Sequence, residues 1–343
     1  MSNLYSIGFG VGTCNSKGEW LEVYFPQPLL NPTEEVASAV TSTLNIDNGN
    51  VAIALEQAQL QPLADQLESA GSSEQAAILR QFAGSQRPLV AVVLHSDDAP
   101  QSVPESYLKL HLLSHRLVKP HGTKLDGIFG QLANVAWTNQ GAIDLEELPQ
   151  RQLEARLKGE LLEVSCVDKF PKMTNYVVPK GVRIAHTARV RLGAYLGEGT
   201  TIMHEGFVNF NAGTEGPGMI EGRISAGVFV GAGSDLGGGS STMGTLSGGG
   251  NIVIALGDGC LLGANSGTGI PLGDRCTVES GLYITAGTKV AVLDDKGEVA
   301  ESVKARDLAN KSDLLFRRNS STGAVECLTN KSAVELNAEL HSN

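Results

Sequence analysis

The fold is decided by the segment from Val178 to Val208, which reads VPKGVRIAHTARVRLGAYLGEGTTIMHEGFV. A large aliphatic residue returns at every sixth position of this segment: Val178, Ile184, Val190, Leu196, Ile202 and Val208. Four positions after each of them stands a small or compact residue: Val182, Ala188, Ala194, Thr200, Gly206 and Ala212. Neither an α-helix nor a single strand repeats at six residues, so this period indicates a repeat architecture.

A hexad repeat of this kind predicts a three-sided parallel β-helix. Each hexad would form one short strand and a corner, and three hexads would close a coil whose strands lie about 4.8 Å from those of the next coil. The aliphatic residue would point inward, and the compact residue would fit the crowded corner. After interruptions, the six-residue pattern returns at 224–236, 256–262 and 272–290. We therefore expect the β-helix to span 178–290.

Charge and cysteine content narrow the class of protein. The formal net charge is −11, which argues against nucleic acid or an anionic membrane surface as the main partner. Any anionic ligand must then meet local cations. No stretch has the length of a membrane span and no secretory signal is visible, so we expect a cytoplasmic protein. The cysteines are odd in number and form no Cys-x-x-Cys pair, which argues against a disulfide framework or a zinc knuckle.

The regions outside the repeat predict a four-part organisation. Residues 1–104 predict an α/β domain, with helices at 31–44, 57–70 and 73–82 and a buried strand at 89–95. Residues 105–177 predict a mainly helical connector, for example at 146–162. Residues 291–343 predict a C-terminal cap made of a hairpin, which turns at 319–323, and a terminal helix at 332–340.

Several strings resemble the signature segments of the tetrahydrodipicolinate N-succinyltransferase family. They are MHEGFVNFNAGT (203–214), EGRISAG (221–227), GSDLGGG (233–239), MGTLSGGG (243–250), LGAN (262–265) and GLYITAGT (281–288). FGVGT (9–13) and WLEV (20–23) resemble the longer form of the family, which is known from pseudomonads and, in a shorter version, from actinobacteria. The resemblance covers almost the whole chain. It implies a mainly β fold, a left-handed parallel β-helix of hexapeptide repeats with an N-terminal α/β domain and a small C-terminal cap.

The resemblance also implies an enzyme of lysine and diaminopimelate biosynthesis. It would move succinyl from succinyl-CoA to the amine of tetrahydrodipicolinate in its L-2-amino-6-oxopimelate form. The resemblance makes Glu205 the catalytic carboxylate, either as a base or as a nucleophile that forms an acyl anhydride, and the sequence leaves both roles open. His204 is a rival general base. His186 precedes it by one coil, so the two rings would stack about 4.8 Å apart on one outer face.

Cations and glycine-rich strings predict the binding residues. Arg189, Arg191 and Arg223 suit substrate carboxylates because the arginine fork matches their geometry. Glycines allow backbone N–H groups to approach a thioester closely. The full expected set for substrate and CoA is Phe207, Asn209, Gly222, Arg223, Ser225, Gly227, Ser247, Gly248, Ala264, Asn265, Arg189, Arg191 and Lys289.

Assembly and cofactors follow from the fold and the resemblance. A flat apolar face of the prism is best buried against copies of itself, so we expect a homotrimer with sites between neighbouring chains. Succinyl-CoA would be a co-substrate rather than a tightly bound cofactor. Some relatives hold a metal ion on the three-fold axis, and we expect Mg²⁺ there, although the sequence assigns no ligands.

Two alternatives to this function stay open. The chain could be another CoA-dependent N-acyltransferase on the same fold, or a non-catalytic β-solenoid, for which the non-repeating strings at 204–214 and 236–250 have no evident use. A γ-type carbonic anhydrase is disfavoured because the coils contain no pair of histidines five residues apart.

Overall fold

The computed structural model of the protein describes residues 4–244 and 252–329. The chain divides into two compact units. The first consists of Met1–Leu117 with Gly122–Pro171, and the second of Val118–His121 with Lys172–Asn343. Within the described ranges, no helix combines the length and the apolar character that crossing a bilayer requires.

The first unit contains a mixed set of helices and strands. In chain order these are β1 (Ser6–Cys14), β2 (Trp20–Tyr24), β3 (Leu29–Leu30), α1 (Glu34–Leu44), β4 (Val51–Ala54), α2 (Gln57–Ser69), α3 (Ser73–Phe82), β5 (Leu89–Leu94), α4 (Val103–Ser114), α5 (Ile128–Gln131), β6 (Val135–Thr138), β7 (Gly141–Asp144), α6 (Leu148–Leu157) and β8 (Val164–Asp168). One antiparallel sheet has the order β2-β1-β5-β4, with β3 beside β1, and a second has the order β7-β6-β8.

Local sequence explains the helices that pack on the first sheet. The side chain of Thr33 accepts a hydrogen bond from the Val36 backbone N–H, so α1 begins after this cap, with two glutamates near its positive end. The predicted start at Asn31 is wrong by three residues, because Asn31 has a φ of 48° and lies outside the helix. β5 is buried along its whole length and forms the centre of the sheet, as its unbroken run of apolar residues predicts.

The second unit is built from coils of short parallel strands. In chain order they are β9 (Arg183–Ile184), β10 (Ala194–Leu196), β11 (Thr200–Ile202), β12 (Phe207–Val208), β13 (Ala212–Thr214), β14 (Gly218–Ile220), β15 (Arg223–Ile224), β16 (Phe229–Val230), β17 (Asp235–Leu236), β18 (Ser241–Thr242), β19 (Ala255–Leu256), β20 (Leu261–Leu262), β21 (Gly267–Thr268), β22 (Thr277–Val278) and β23 (Tyr283–Ile284). They form three faces: β9-β11-β14-β17-β20-β22, β10-β13-β16-β19 and β12-β15-β18-β21-β23. The predicted three-sided parallel β-helix is confirmed.

The hexad phase places the core correctly after the first coil. Val190, Leu196, Ile202 and Val208 are fully buried. Val178 is wrong, because its side chain is 68% exposed and it precedes the first strand of the stack. A residue there has no strand to close the core around it.

The buried cysteines of the β-helix also follow the phase. Cys260 and Cys276 have no solvent exposure, as compact corner residues should. Their thiols contact backbone oxygens of the next coil, Cys260 Sγ that of Gly273 at 3.0 Å and Cys276 Sγ that of Lys311 at 3.2 Å. Ser234 makes the same kind of contact from the preceding coil. The thiols therefore act as hydrogen-bond donors as well as fillers.

One corner of the β-helix is shorter than its neighbours. Ile202 pairs with Ile220, and Val208 pairs with Ile224. The chain therefore covers this corner in six positions in one coil and in only four in the next. The corner that contains Glu221 and Gly222 has less chain to extend outward than the corner before it.

The C-terminal cap continues the first face. It contains β24 (Lys289–Leu293), β25 (Val299–Lys304), β26 (Leu314–Arg318) and β27 (Val325–Thr329), and β26 pairs with β22. The antiparallel pairing of β26 with β27 confirms the predicted hairpin. The predicted terminal helix at 332–340 lies outside the described residues.

Candidate active site

The site is centred on the corner between β11 and β12, which carries His204 and Glu205. Gly206 closes this corner. A Cβ added there would collide with the carbonyl oxygen of Ile220 and lie 2.9 Å from Ile202 Cγ2. The backbone therefore packs tightly at Gly206, while the side chains of His204 and Glu205 remain 70% and 64% exposed.

Both oxygens of the Glu205 carboxylate are engaged. Arg189 Nη2 lies 2.9 Å from Oε2, and Arg189 Nη1 donates to the backbone oxygen of Glu205 at 3.3 Å. His204 Nδ1 lies 3.1 Å from Oε1 and donates when that nitrogen carries the proton. Hydrogen bonding from His204 and then the positive charge of Arg189 lower the pKa of Glu205. The carboxylate is thus held ionised at neutral pH.

His186 lies beside His204, as the one-coil spacing predicts. The ring centroids are 5.2 Å apart, and the ring planes are inclined by 76°. The predicted parallel stack is therefore wrong, because the contact is edge-to-face. This is the arrangement that aromatic rings prefer over a direct sandwich.

The third face places the other expected polar residues in columns. Because Phe207 pairs with Arg223, the Arg223 side chain lies one coil beyond Phe207 on this face. Arg191 Nη1 donates to Asn209 Oδ1 at 3.1 Å, one coil apart. Among the residues that the structure describes, Arg223 makes no ion pair, so its guanidinium is available to an anionic ligand.

Ser225 and Gly227 form the next corner, and their own groups hold it. Ser225 Oγ donates to the Thr242 backbone oxygen at 2.6 Å. The Gly227 backbone N–H donates to the Asn211 oxygen, and His121 Nε2 lies 2.7 Å from the Gly227 oxygen. These two residues are therefore engaged in building the corner.

The remaining expected residues are distributed along the β-helix. Gly222 lies at the short corner, where an added Cβ would be 2.6 Å from the Ser240 backbone oxygen. Ala264 and Asn265 lie on the same edge, two coils further, and the Asn265 N–H donates to the Gly238 oxygen at 2.9 Å. Lys289 is exposed in β24 of the cap, opposite Lys304, and is not brought to Glu205 within one chain. Ser247 and Gly248 lie outside the described residues.

Two contributors were not predicted from the sequence. Glu221 stands at the short corner, one coil beyond Met203, and places a second carboxylate on the edge that carries Glu205. The sequence signal for this corner was the interval between successive inward aliphatic residues, which drops here from six positions to four. His121 donates its backbone N–H to Asn211 Oδ1 at 2.8 Å. No local pattern could have placed this distant residue on the coils.

No metal centre is built from single-chain residues in the described ranges. Within them, no three His, Cys, Asp or Glu side chains are grouped closely enough to hold an ion. The chemistry that these residues support directly is that of an ionised, exposed carboxylate with a histidine and arginines beside it.

Comparison with known proteins gives a consistent result. A family model described as tetrahydrodipicolinate N-succinyltransferase N-terminal matches residues 63–130, and one described as tetrahydrodipicolinate N-succinyltransferase middle matches 132–172. A model of the hexapeptide repeat of succinyl-transferase matches 253–286.

Individual relatives match over nearly their whole length. A Pseudomonas putida protein is 70% identical over all of both chains, one from Pseudomonas aeruginosa is 67% identical over 99% of both, and one from Vibrio cholerae is 61% identical over 99% of both. Each is named 2,3,4,5-tetrahydropyridine-2,6-dicarboxylate N-succinyltransferase. A crystal structure from Campylobacter jejuni, described as a 2,3,4,5-tetrahydropyridine-2-carboxylate N-succinyltransferase, superposes with a TM-score of 0.89 at 32% identity and covers 98% of this chain and 94% of that one. By this likeness along its full length, the chain belongs to the tetrahydrodipicolinate N-succinyltransferase family.

Proposed function

We propose that this enzyme transfers the succinyl group of succinyl-CoA to the amine of tetrahydrodipicolinate in its L-2-amino-6-oxopimelate form. The reaction belongs to lysine and diaminopimelate biosynthesis. The thioester C–S bond breaks, an amide C–N bond forms, and CoA leaves as the thiol with the proton that the amine loses.

The observation that carries this proposal is the environment of Glu205. An exposed carboxylate with a lowered pKa stands at a corner of the β-helix, and cations lie on the face next to it. The whole chain carries a net charge of −11 and would repel a dicarboxylate from most of its surface. Arg191 and Arg223 provide the local positive charge that such a substrate requires.

Glu205 can serve the reaction in either of two ways. As a base, it accepts the proton that the attacking amine loses. As a nucleophile, it attacks the thioester carbonyl, releases CoA and forms an acyl anhydride, which the amine then opens to restore the carboxylate. A lowered pKa keeps the carboxylate anionic, as both routes require, and makes it a weaker base and a weaker nucleophile alike, so the pKa does not favour one route over the other. In the second route, His204 would relay the amine proton.

The expected binding residues divide between the acceptor and the acyl donor according to their places on the β-helix. Arg223, Arg191, Asn209 and Phe207 would bind the acceptor next to Glu205. The edge of Gly222, Ala264 and Asn265, with the corner of Ser225 and Gly227, would border the acyl donor. Ser247, Gly248 and Lys289 are assigned to CoA on the family resemblance alone.

The assembly that we propose is a cytoplasmic homotrimer with sites shared between neighbouring chains. Lys289 is remote from Glu205 along one chain, so a neighbouring copy would have to supply any cation from that position. The same symmetry suits the expected Mg²⁺ ion. Since the described part of one chain groups no three candidate ligands, an axial ion would draw its ligands from several copies.

The direct test measures CoA thiol release from succinyl-CoA with and without the acceptor amine. We expect release that depends on the acceptor and falls at least about 100-fold in Glu205→Gln. Glu198→Gln is the matched control, because Glu198 is an exposed glutamate at a different corner of the same coil, between β10 and β11. Turnover with acetyl-CoA but not succinyl-CoA would favour another N-acyltransferase. No turnover with any acyl-CoA would favour a non-catalytic solenoid.

A further inference from the structure

An exposed loop between α1 and β4 of the first unit carries the chain's single Asn-Gly pair, Asn48–Gly49. We propose that this pair is a modification site at which Asn48 loses its side-chain amide nitrogen without an enzyme and becomes a mixture of aspartate and isoaspartate. The proposal concerns the first unit alone and does not depend on the acyl-transfer function.

The reacting groups of the pair are unhindered. Asn48 and Gly49 are both exposed. Among the described residues, neither the side-chain amide of Asn48 nor the backbone N–H of Gly49 has a hydrogen-bond partner. Gly49 has a φ of 87°, and a Cβ built on it would meet nothing within 4 Å. Because glycine carries no Cβ, the Gly49 nitrogen can approach the side-chain carbonyl of Asn48 closely.

The next asparagine of the same loop shows the opposite state. The Asn50 side chain accepts from the backbone N–H groups of His95 and Ser96 at 2.8 and 3.1 Å, and it donates to the Ser96 oxygen at 3.1 Å. It is followed by Val51, whose branched side chain stands beside the nitrogen that would have to attack. The loop therefore leaves Asn48 reactive and protects Asn50.

The reaction needs only water as a co-reactant. The Gly49 nitrogen attacks Cγ of Asn48, so that a C–N bond forms and closes a five-membered succinimide ring. The bond from Cγ to the side-chain nitrogen breaks, and ammonia leaves with the proton that the Gly49 nitrogen loses. Water then opens the ring, at Cγ to give aspartate or at the main-chain carbonyl to give isoaspartate. Either product adds one negative charge to the net charge of −11.

Isoaspartate would also change the path of the main chain. The backbone then runs through the former side chain, which adds one methylene carbon before Gly49. The Gly49 oxygen lies 2.5 Å from His95 Nδ1, and Asn50 holds the backbone N–H groups of His95 and Ser96. The added carbon must displace these contacts at the end of β5, beside the start of the edge strand β4. We expect the loop to be loosened there.

The test incubates the purified full-length protein at mildly alkaline pH and follows it by ion-exchange chromatography and peptide mapping. The wild type should convert to a form with one added negative charge, and fragmentation should locate the replacement of NH₂ by OH at Asn48. An isoaspartate-specific methyltransferase should label the converted protein. Asn48→Gln should lose the conversion, because its side chain would have to close a six-membered ring. Asn50, in the same stretch of chain, is the internal control and should keep its side-chain amide.

Asn48→Asp separates the effect of charge from that of backbone length. When freshly prepared, it carries the added charge on a main chain of normal length. Hydrogen exchange at the backbone N–H groups of His95 and Ser96 should be faster in the methyltransferase-labelled fraction of aged wild type than in Asn48→Asp. Equal exchange in the two samples would reject the loosening that we assign to isoaspartate.

Three other results would overturn the proposal. The first is an Asn48 that keeps its side-chain amide in the incubated, folded protein. The second is conversion of Asn48 only after unfolding in urea, since the fold would then protect the pair. The third is the same gain of charge in Asn48→Gln, which would place the reaction elsewhere in the chain. CoA thiol release measures the acyl-transfer function separately, so failure of one proposal is distinguishable from failure of the other.

Discussion

The first prediction concerns the effect of acidic pH on stability through His111, which lies in α4 of the first unit. His111 is fully buried, its Nδ1 lies 2.8 Å from the Tyr107 oxygen, and its Nε2 accepts from the Phe25 backbone N–H at 3.3 Å. A neutral imidazole satisfies both contacts, whereas a protonated ring would direct an N–H at the Phe25 N–H. Burial is the main cause that lowers the pKa of His111 to about 3, and the nearby His115 adds to it.

The sign and size of the pH effect follow from that pKa. Above about pH 6.5 the ring is neutral in both states, so it makes no pH-dependent contribution. As the pH falls further, the unfolded chain gains a proton that the folded chain does not accept. The free energy of unfolding therefore falls by about 1.4 kcal/mol per pH unit. We expect a loss of about 2 kcal/mol by pH 5.

Tryptophan fluorescence can measure this loss selectively. Trp20 and Trp137 are the chain's two tryptophans, and both lie in the first unit. Urea unfolding at pH 7.5 and pH 5 should show the loss in the wild type and a smaller loss in His111→Gln, which cannot titrate. An identical slope in His111→Gln and wild type would refute the argument.

Three further predictions concern packing. Gly206→Ala should lower the free energy of unfolding by about 1–3 kcal/mol and reduce kcat, because the new Cβ meets the Ile220 backbone and must displace the corner that carries Glu205. Its control is Gly287→Ala, which has open space around it and should change the free energy of unfolding by less than about 0.5 kcal/mol in the same urea assay. Cys260→Ser should stay within about 1 kcal/mol of the wild type, since Ser234 makes the equivalent contact, and Cys260→Ala should be less stable than Cys260→Ser; the reverse order by urea unfolding would contradict the donor role. Lys109→Met should cost about 3 kcal/mol, because Lys109 is fully buried against Asp97 and its loss leaves that carboxylate without its cation; an unchanged midpoint would contradict this.

The sequence predicted the β-helix well because one physical rule repeats in it. An inward aliphatic residue every sixth position is sufficient to set strand, corner and coil, and Ile202 and Val208 are buried as that rule requires. The coil length also brought His186 to His204. The prediction that Val178 is buried failed because an inward residue is covered only when strands lie on both sides of its coil. The first coil has no neighbouring strand on one side.

The partner of Glu205 was beyond this rule. Arg189 lies in a turn, where the hexad phase does not set the direction of a side chain, so its contact with Glu205 could not be read from the spacing. The sheet of β6, β7 and β8 was missed for a related reason. Its strands are only four or five residues long, and α6 separates β8 from the hairpin of β6 and β7, so no sustained alternation marks them.

The short corner at Glu221 and Gly222 has a consequence for engineering. Strands β14 and β15 keep their register with the coil below although the link between them has lost two residues. Corner length is therefore a variable that can be edited separately from the scaffold. Restoring two residues after Glu221 would change the contour of the edge beside Glu205 while the ladders on either side stay paired. Libraries of corner insertions should thus retain folding while they alter which acyl chains and acceptors this edge admits.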